Sequence, residues 1–172
     1  MRALLLAPLI SAAAVHAAAP RAAAALDVPF FPDGSGQCGP TALASVLRYW
    51  GDSARPGELR DQIYRGDLKG SLPVDLLLAA RARGLSARIL EGSLDELKRE
   101  LDAGHPVIAF VNVGLRAYPV GHYLVLTGYD EARRLLYAHS GTQKDALVPY
   151  GRFERQWRNA ERWALLVLPP GR

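Results

Sequence analysis

The feature that most constrains this chain is a change of pattern near residue 105. Before it, apolar residues recur at helical spacing in short segments punctuated by glycine. After it, runs of β-branched, aromatic and leucine residues follow one another, bounded by Gly, Asp or Pro. Helices first and strands later imply an α+β architecture rather than alternating α/β units.

In the first half, Ala42, Leu43, Val46, Leu47 and Trp50 share one face of a helix over 38–50, with Gly51 as its C′ residue. A second helix is expected over 57–65, ended by Gly66. A third is expected to be capped by Ser71, to open at Pro73, to carry Val74, Leu77, Leu78 and Ala82, and to stop at Gly84. Residues 86–90 read as a short strand. Ser93 and Glu96 form a capping-box pattern ahead of Leu94, Leu97 and Leu101, with Gly104 at the helix end. In the second half, PVIAFVNV, HYLVLTGY, RRLLYAH and RWALLVL predict four strands of one mostly antiparallel sheet, with a short helix around 153–158 before the last.

Composition excludes several classes. At 172 residues, 49% hydrophobic and 22% charged, the chain is neither disordered, collagen-like nor a polytopic membrane protein, and one domain is the expectation. Its single cysteine rules out an intrachain disulfide and any zinc site that needs two thiolates. Eighteen of the 21 basic residues are arginine, and the formal charge is +4. Arg48, Arg60, Arg81, Arg83, Arg88 and Arg99 are scattered over several segments, as solvated helix faces are, so no nucleic-acid partner is expected. Trp50, Trp157 and Trp163 sit among apolar positions, where core packing is their expected use.

The first residues read as an address. Arg2 precedes an apolar run followed by small residues, the layout of a secretory signal peptide over 1–19 cleaved near Ala17 or Ala19. Residues 20–27 read as a flexible start and 28–169 as the folded domain. Pro8 and His16 interrupt the apolar run, and no other segment approaches the roughly 18 apolar residues that a span requires. The expectation is an exported protein, periplasmic or secreted, with no stable membrane span after cleavage. A lone cysteine in an oxidising compartment is either buried and inert or chemically employed.

Cys38 stands directly after GSGQ and directly before GPTALASVL, which puts a thiol at the start of a helix. The unpaired N–H groups and positive dipole end there favour a thiolate and can hold a developing oxyanion. His122 opens the strand HYLVLTGY and is the candidate general base, able to take the thiol proton and later return it to a leaving amine. His139, in YAHSGT, ends the strand expected to pair with that one, and is a candidate to orient His122. His105, in AGHPV between a helix stop and a strand, suits a contact with a helix C-terminus. Tyr118 and Tyr123 flank the histidine region as candidate groove residues. The histidines lack metal-ligand spacing, and neither a metal nor a cofactor is expected.

The segment VPFFPDGSGQCGPTALASVLRYWG resembles the nucleophile segment of the bacterial papain-like cysteine peptidases related to the double-glycine-leader (bacteriocin-processing) peptidases. The resemblance continues through GSLPVDLLLAARARG, AGHPVIAFVN, VGHYLVLTGYD, HSGT and FERQWRNAERWALLVLPP, across roughly residues 28–169. It is similar to standalone exported members without transporter domains. The resemblance implies a papain-like fold, N-terminal helices packed on the sheet, and a Cys-His hydrolase acting on a peptide or protein substrate. In it Cys38 is the nucleophile and His122 the general base.

Two positions depart from the family pattern. Where the family carries an oxyanion-binding glutamine five or six residues before the cysteine, this chain has Asp33 and Pro32. An ionised carboxylate cannot donate to an oxyanion; Gln37, next to the nucleophile, is a candidate substitute for the family's glutamine. Where the family carries an orienting Asp after the histidine strand, this chain reads Ala138-His139-Ser140. These departures motivate a second reading, a peptide-binding module on the same fold. A third is a Cys-His amidase or acyl transferase acting on cell-wall peptides, since the same pair serves that reaction.

Overall fold

The computed structural model describes residues 22–23, 25–33, 36–90 and 92–171. The expected signal peptide over 1–19 lies outside the described residues. Among them the elements run β1 (Ala22–Ala23), α1 (Cys38–Tyr49), α2 (Pro56–Ile63), α3 (Pro73–Ala82), β2 (Ser86–Ile89) and α4 (Leu94–Asp102). They continue with β3 (Val107–Asn112), β4 (Gly121–Asp130), β5 (Leu135–Ser140), β6 (Gln143–Pro149), α5 (Tyr150–Arg158) and β7 (Ala164–Leu168). The sheet order is β2-β7-β3-β4-β5-β6, every pairing is antiparallel, and β1 pairs with the far end of β4. The fold is the α+β arrangement that the segregation of patterns implies.

Helices cover both faces of this sheet, which is why its central strands read as nearly continuous apolar runs. β7 is buried at all five positions. Alternation along the strands sorts the core into two clusters. Ile108, Tyr123, Val125, Leu165 and Val167 face α1 to α3, with Leu43, Val46, Leu47, Leu59 and Leu76. Val107, Ala109, Val111, Leu124, Leu126 and Leu166 face α4 and α5, with Leu97, Leu101, Phe153 and Trp157. Each fully buried leucine contributes about 1.5–3 kcal/mol. Trp157 stacks on Phe153 and donates its indole N–H to the Trp163 carbonyl at 2.8 Å. Trp50 donates to the Val167 carbonyl, also at 2.8 Å, tying the end of α1 to β7. The tryptophans therefore pack in or against the core, as expected.

Several local expectations need correction. The segment expected to be a flexible start joins the sheet: Ala22–Ala23 pairs with β4, and the Leu26 amide donates to the Thr127 carbonyl at 2.7 Å. α2 ends at Ile63, two residues early, because Tyr64 turns extended and Arg65 bridges to Gly70. Leu72, not Ser71, occupies the N-cap of α3, and no side chain caps it, since leucine carries no hydrogen-bond acceptor. The buried stripe of α3 is Leu76, Ala79 and Ala80, whereas Val74 and Leu78 are half exposed. PVDLLLAARA is apolar almost all round, so periodicity alone does not choose its inner face. β6 is not among the expected strands, because QKDALVP opens on three polar residues, lies at the sheet edge and contains a bulge. The expected capping box forms in part: Ser93 Oγ accepts from the Glu96 amide at 3.1 Å, but the Glu96 carboxylate accepts from Gly92, one residue before the N-cap, at 3.2 Å.

Candidate active site

Cys38 is the first residue of α1, with Gln37 at the N-cap. The Gln37 carbonyl accepts from both the amide and the hydroxyl of Thr41, at 3.1 Å each, which fixes the first turn. The next residue must be small. A Cβ on Gly39 would lie 2.9 Å from Ser71 Cβ and 3.4 Å from the Tyr123 ring. Gly39 therefore lets the 64–72 loop and β4 close against the helix start. Tyr123 locks that contact by donating its hydroxyl to the Ser71 carbonyl at 2.9 Å.

The Cys38 thiol is mostly buried. Burial pushes its pKa up, and the negative charge of Asp33 pushes in the same direction. Main-chain hydrogen bonds from Tyr123, Gly39 and Cys38 itself act the other way without overcoming burial. Cys38 shares a cavity wall with Tyr123, the residue that follows His122. Phe30, Phe31, Thr41, Ala42, Tyr123, His139 and Ser140 are among the residues that line a cavity of about 10 Å³ behind the thiol, room for no more than a water.

His122 is the second residue of β4, where Gly121 precedes it because a Cβ there would meet the Phe110 ring at 2.5 Å. Its Nε2 lies 3.0 Å from Ser140 Oγ. Burial lowers the imidazole pKa, and Asp33 partly opposes this. Asp33 therefore acts electrostatically on both Cys38 and His122. Its amide donates to the Gly141 carbonyl at 2.9 Å, which holds the incoming 28–33 segment against the turn after β5. His122 also lines a cavity of about 100 Å³ with Val111, Leu124, Ser140, Gln143 and Arg152 among its neighbours.

The other candidates sit as follows. His139, expected to orient His122, does not hydrogen-bond to it. Nε2 meets the Val28 carbonyl at 2.9 Å, Nδ1 accepts the Asp145 amide at 3.2 Å, and Phe30 packs edge-on against the ring at 5.1 Å. The ring thereby clamps the segment leading to Cys38 onto the sheet. The cause is the extra residue in β6: Asp145, in the left-handed region at φ 49°, turns its amide toward His139. His105 Nδ1 pairs with Glu100 at 2.8 Å beside the end of α4, remote in role from Cys38. Tyr118 is exposed, whereas Tyr123 is buried against Cys38. Sequence reasoning passed over Ser140. Its position beside His139 was visible, but the bulge that selects between the two side chains was not.

Comparison with known proteins bears on the family and the fold. Residues 25–165 match the Peptidase_C39 like family. An uncharacterised protein of Methanothermobacter marburgensis is 37% identical over 94 residues, covering 55% of this chain. The matched stretch spans only 58% of that relative's length. Among solved structures, a double glycine motif protease from an AMS/PCAT transporter, in complex with the leader peptide, is similar at 24% identity. Its TM-score is 0.67, over 84% of this chain and 94% of that one. The peptidase domain of Streptococcus ComA, a bi-functional ABC transporter involved in quorum sensing, is similar at 23% identity. Its TM-score is 0.65, over 84% of this chain and 98% of that one. These two likenesses carry the fold, and the match over most of the chain carries the family: this chain belongs to the Peptidase_C39-like family of papain-like cysteine peptidase folds.

Proposed function

We propose that this protein is an exported cysteine peptidase that cleaves peptide bonds by acyl transfer from Cys38. The observation that carries the reading is the seat of Cys38 at the N-terminus of α1, lining one small cavity with Tyr123, the residue that follows His122. In the proposed reaction His122 takes the thiol proton as sulfur attacks the scissile carbonyl and the S–C bond forms. The tetrahedral oxyanion is held by main-chain N–H groups at the start of α1, with the Gln37 amide as a further donor. Collapse of the intermediate breaks the C–N bond, and the imidazolium returns its proton to the departing amine. Water, deprotonated by the same imidazole, then hydrolyses the thioester.

Both pKa directions favour the neutral thiol and neutral imidazole at rest, so proton transfer accompanies attack rather than preceding it. The purified mature protein should hydrolyse members of a peptide library, and Cys38→Ala should abolish that hydrolysis. Undiminished cleavage by Cys38→Ala would remove the thiol from the mechanism. A second reading, a peptide-binding module, is favoured by the same two directions and by Asp33, whose charge opposes thiolate and oxyanion alike. Peptide binding without cleavage by the wild type, unchanged in Cys38→Ala, would select it.

A further inference from the structure

We infer that Ser140 is the positioning residue of His122: its hydroxyl accepts Nε2–H and leaves Nδ1 as the basic nitrogen for the Cys38 proton. The inference rests on the Cys38–His122 reading above and assigns to it a third member. Three observations converge on it.

The first is the contact itself. Nε2 and Oγ stand 3.0 Å apart, within ordinary hydrogen-bond range, and among the described residues no hydrogen bond engages the Nδ1 side of this ring. A histidine tautomer is set by the bond its other nitrogen makes, so a partner at Nε2 determines which nitrogen is basic.

The second is the framework that holds the hydroxyl. Ser140 is the last residue of β5. It pairs with Gln143 across a two-residue turn, and the carbonyl of Gly141 in that turn accepts the Asp33 amide at 2.9 Å. Ser140 lines both the cavity behind Cys38 and the cavity beside His122, so it stands where the two neighbourhoods meet.

The third is the exclusion of the adjacent side chain. Both nitrogens of His139 are engaged, Nε2 by the Val28 carbonyl at 2.9 Å and Nδ1 by the Asp145 amide at 3.2 Å, the latter through the bulge in β6. The work of orienting the base has moved one residue along the strand.

A hydroxyl differs from a carboxylate in one respect that matters here. It orients the ring in both protonation states but carries no charge to stabilise the imidazolium beyond a hydrogen bond. Ser140 therefore supports a base that acts transiently, not a standing thiolate–imidazolium pair.

The test is the pH dependence of iodoacetamide alkylation of Cys38 in the full chain, in wild type and in Ser140→Ala, Ser140→Thr and His122→Ala. Wild type should show an inflection from His122 that is absent in His122→Ala. In Ser140→Ala the inflection should move to lower pH, by about one unit for a hydrogen bond lost from the charged form. Peptidase kcat should fall about tenfold at unchanged KM. Ser140→Thr should restore both. If Ser140→Ala does not fold, Ser140→Val against Ser140→Thr, two side chains of one shape differing in the hydroxyl, gives the same comparison. A Ser140→Ala or Ser140→Val inflection superimposable on that of the hydroxyl-bearing protein overturns the role of Ser140 while leaving the pair intact. A wild-type profile unchanged by His122→Ala overturns the pair, and with it this assignment.

Discussion

The start of β4 and the end of β5 each carry a histidine, and the strands pair directly, yet the two rings meet different surroundings. His139 is almost fully buried, with both nitrogens committed to main-chain groups of the 28–33 segment and of the β6 bulge. His122 is partly buried, is held at one nitrogen by a serine hydroxyl, and lines a cavity. A ring bonded on both sides is a fastener. A ring bonded on one side, at the wall of a cavity, has a nitrogen left for chemistry. The difference comes from backbone geometry, because one extra residue in β6 supplies the amide that ties His139 down.

This contrast breaks most sharply by substitution. His122→Ala should lower kcat by about 10²–10⁴, the usual worth of a general base, with little change in folding stability. His139→Ala should do the reverse. It strands the Val28 carbonyl and the Asp145 amide and opens a cavity, which costs about 2–4 kcal/mol of stability. The folded fraction should keep kcat near the wild-type value. Urea unfolding alongside single-turnover kinetics on both variants separates the two effects, and equal kinetic losses would erase the distinction.

A smaller effect tests how the helix start is seated. Gly39→Ala forces a Cβ to within 2.9 Å of Ser71, and it should destabilise the fold by about 1–3 kcal/mol as the 64–72 loop shifts. Denaturant midpoints report this directly. Cys38 alkylation should also quicken, because the thiol loses burial.

The most delicate prediction concerns Asp33. Its charge raises the pKa of both Cys38 and His122, so Asp33→Asn should lower both. Burial already holds the imidazole below its ordinary value, so the acid limb of kcat/KM in wild type should lie below about pH 6.5. Below that limb the ring is protonated and cannot accept the thiol proton. In Asp33→Asn the limb should move further toward acid, and the alkylation inflection of the thiol should move down from its raised position. A profile that moves toward alkali would show that Asp33 acts by contact rather than by charge.

Much of this arrangement was legible in the sequence. The order of helical and strand-like segments gave the α+β class, and Cys38 ahead of a periodic apolar face gave the helix start. The Ser93–Glu96 spacing marked the helix start, where Ser93 caps the Glu96 amide and Glu96 accepts from Gly92. What was not legible depended on tertiary choices. α3 is apolar on nearly every side, so only its packing against α1 and β2 selects Leu76, Ala79 and Ala80 as its inner stripe. β6 has no alternating pattern because it is an edge strand with a bulge. The partner of His122 followed from that same bulge. Strand counting pointed to the neighbourhood of His139, but the choice of Ser140 over it depends on where the Asp145 amide points.

The central claim is that Cys38 and His122 act together as nucleophile and base while His139 does not take part. The most direct measurement is titration of the protein with a thiol-directed peptide electrophile, followed by mass, in wild type, His122→Ala and His139→Ala. The account predicts one adduct per chain on Cys38, formed about 10²-fold or more slowly in His122→Ala and at an unchanged rate in folded His139→Ala. Equal rates in wild type and His122→Ala, or an adduct absent from Cys38, would contradict it.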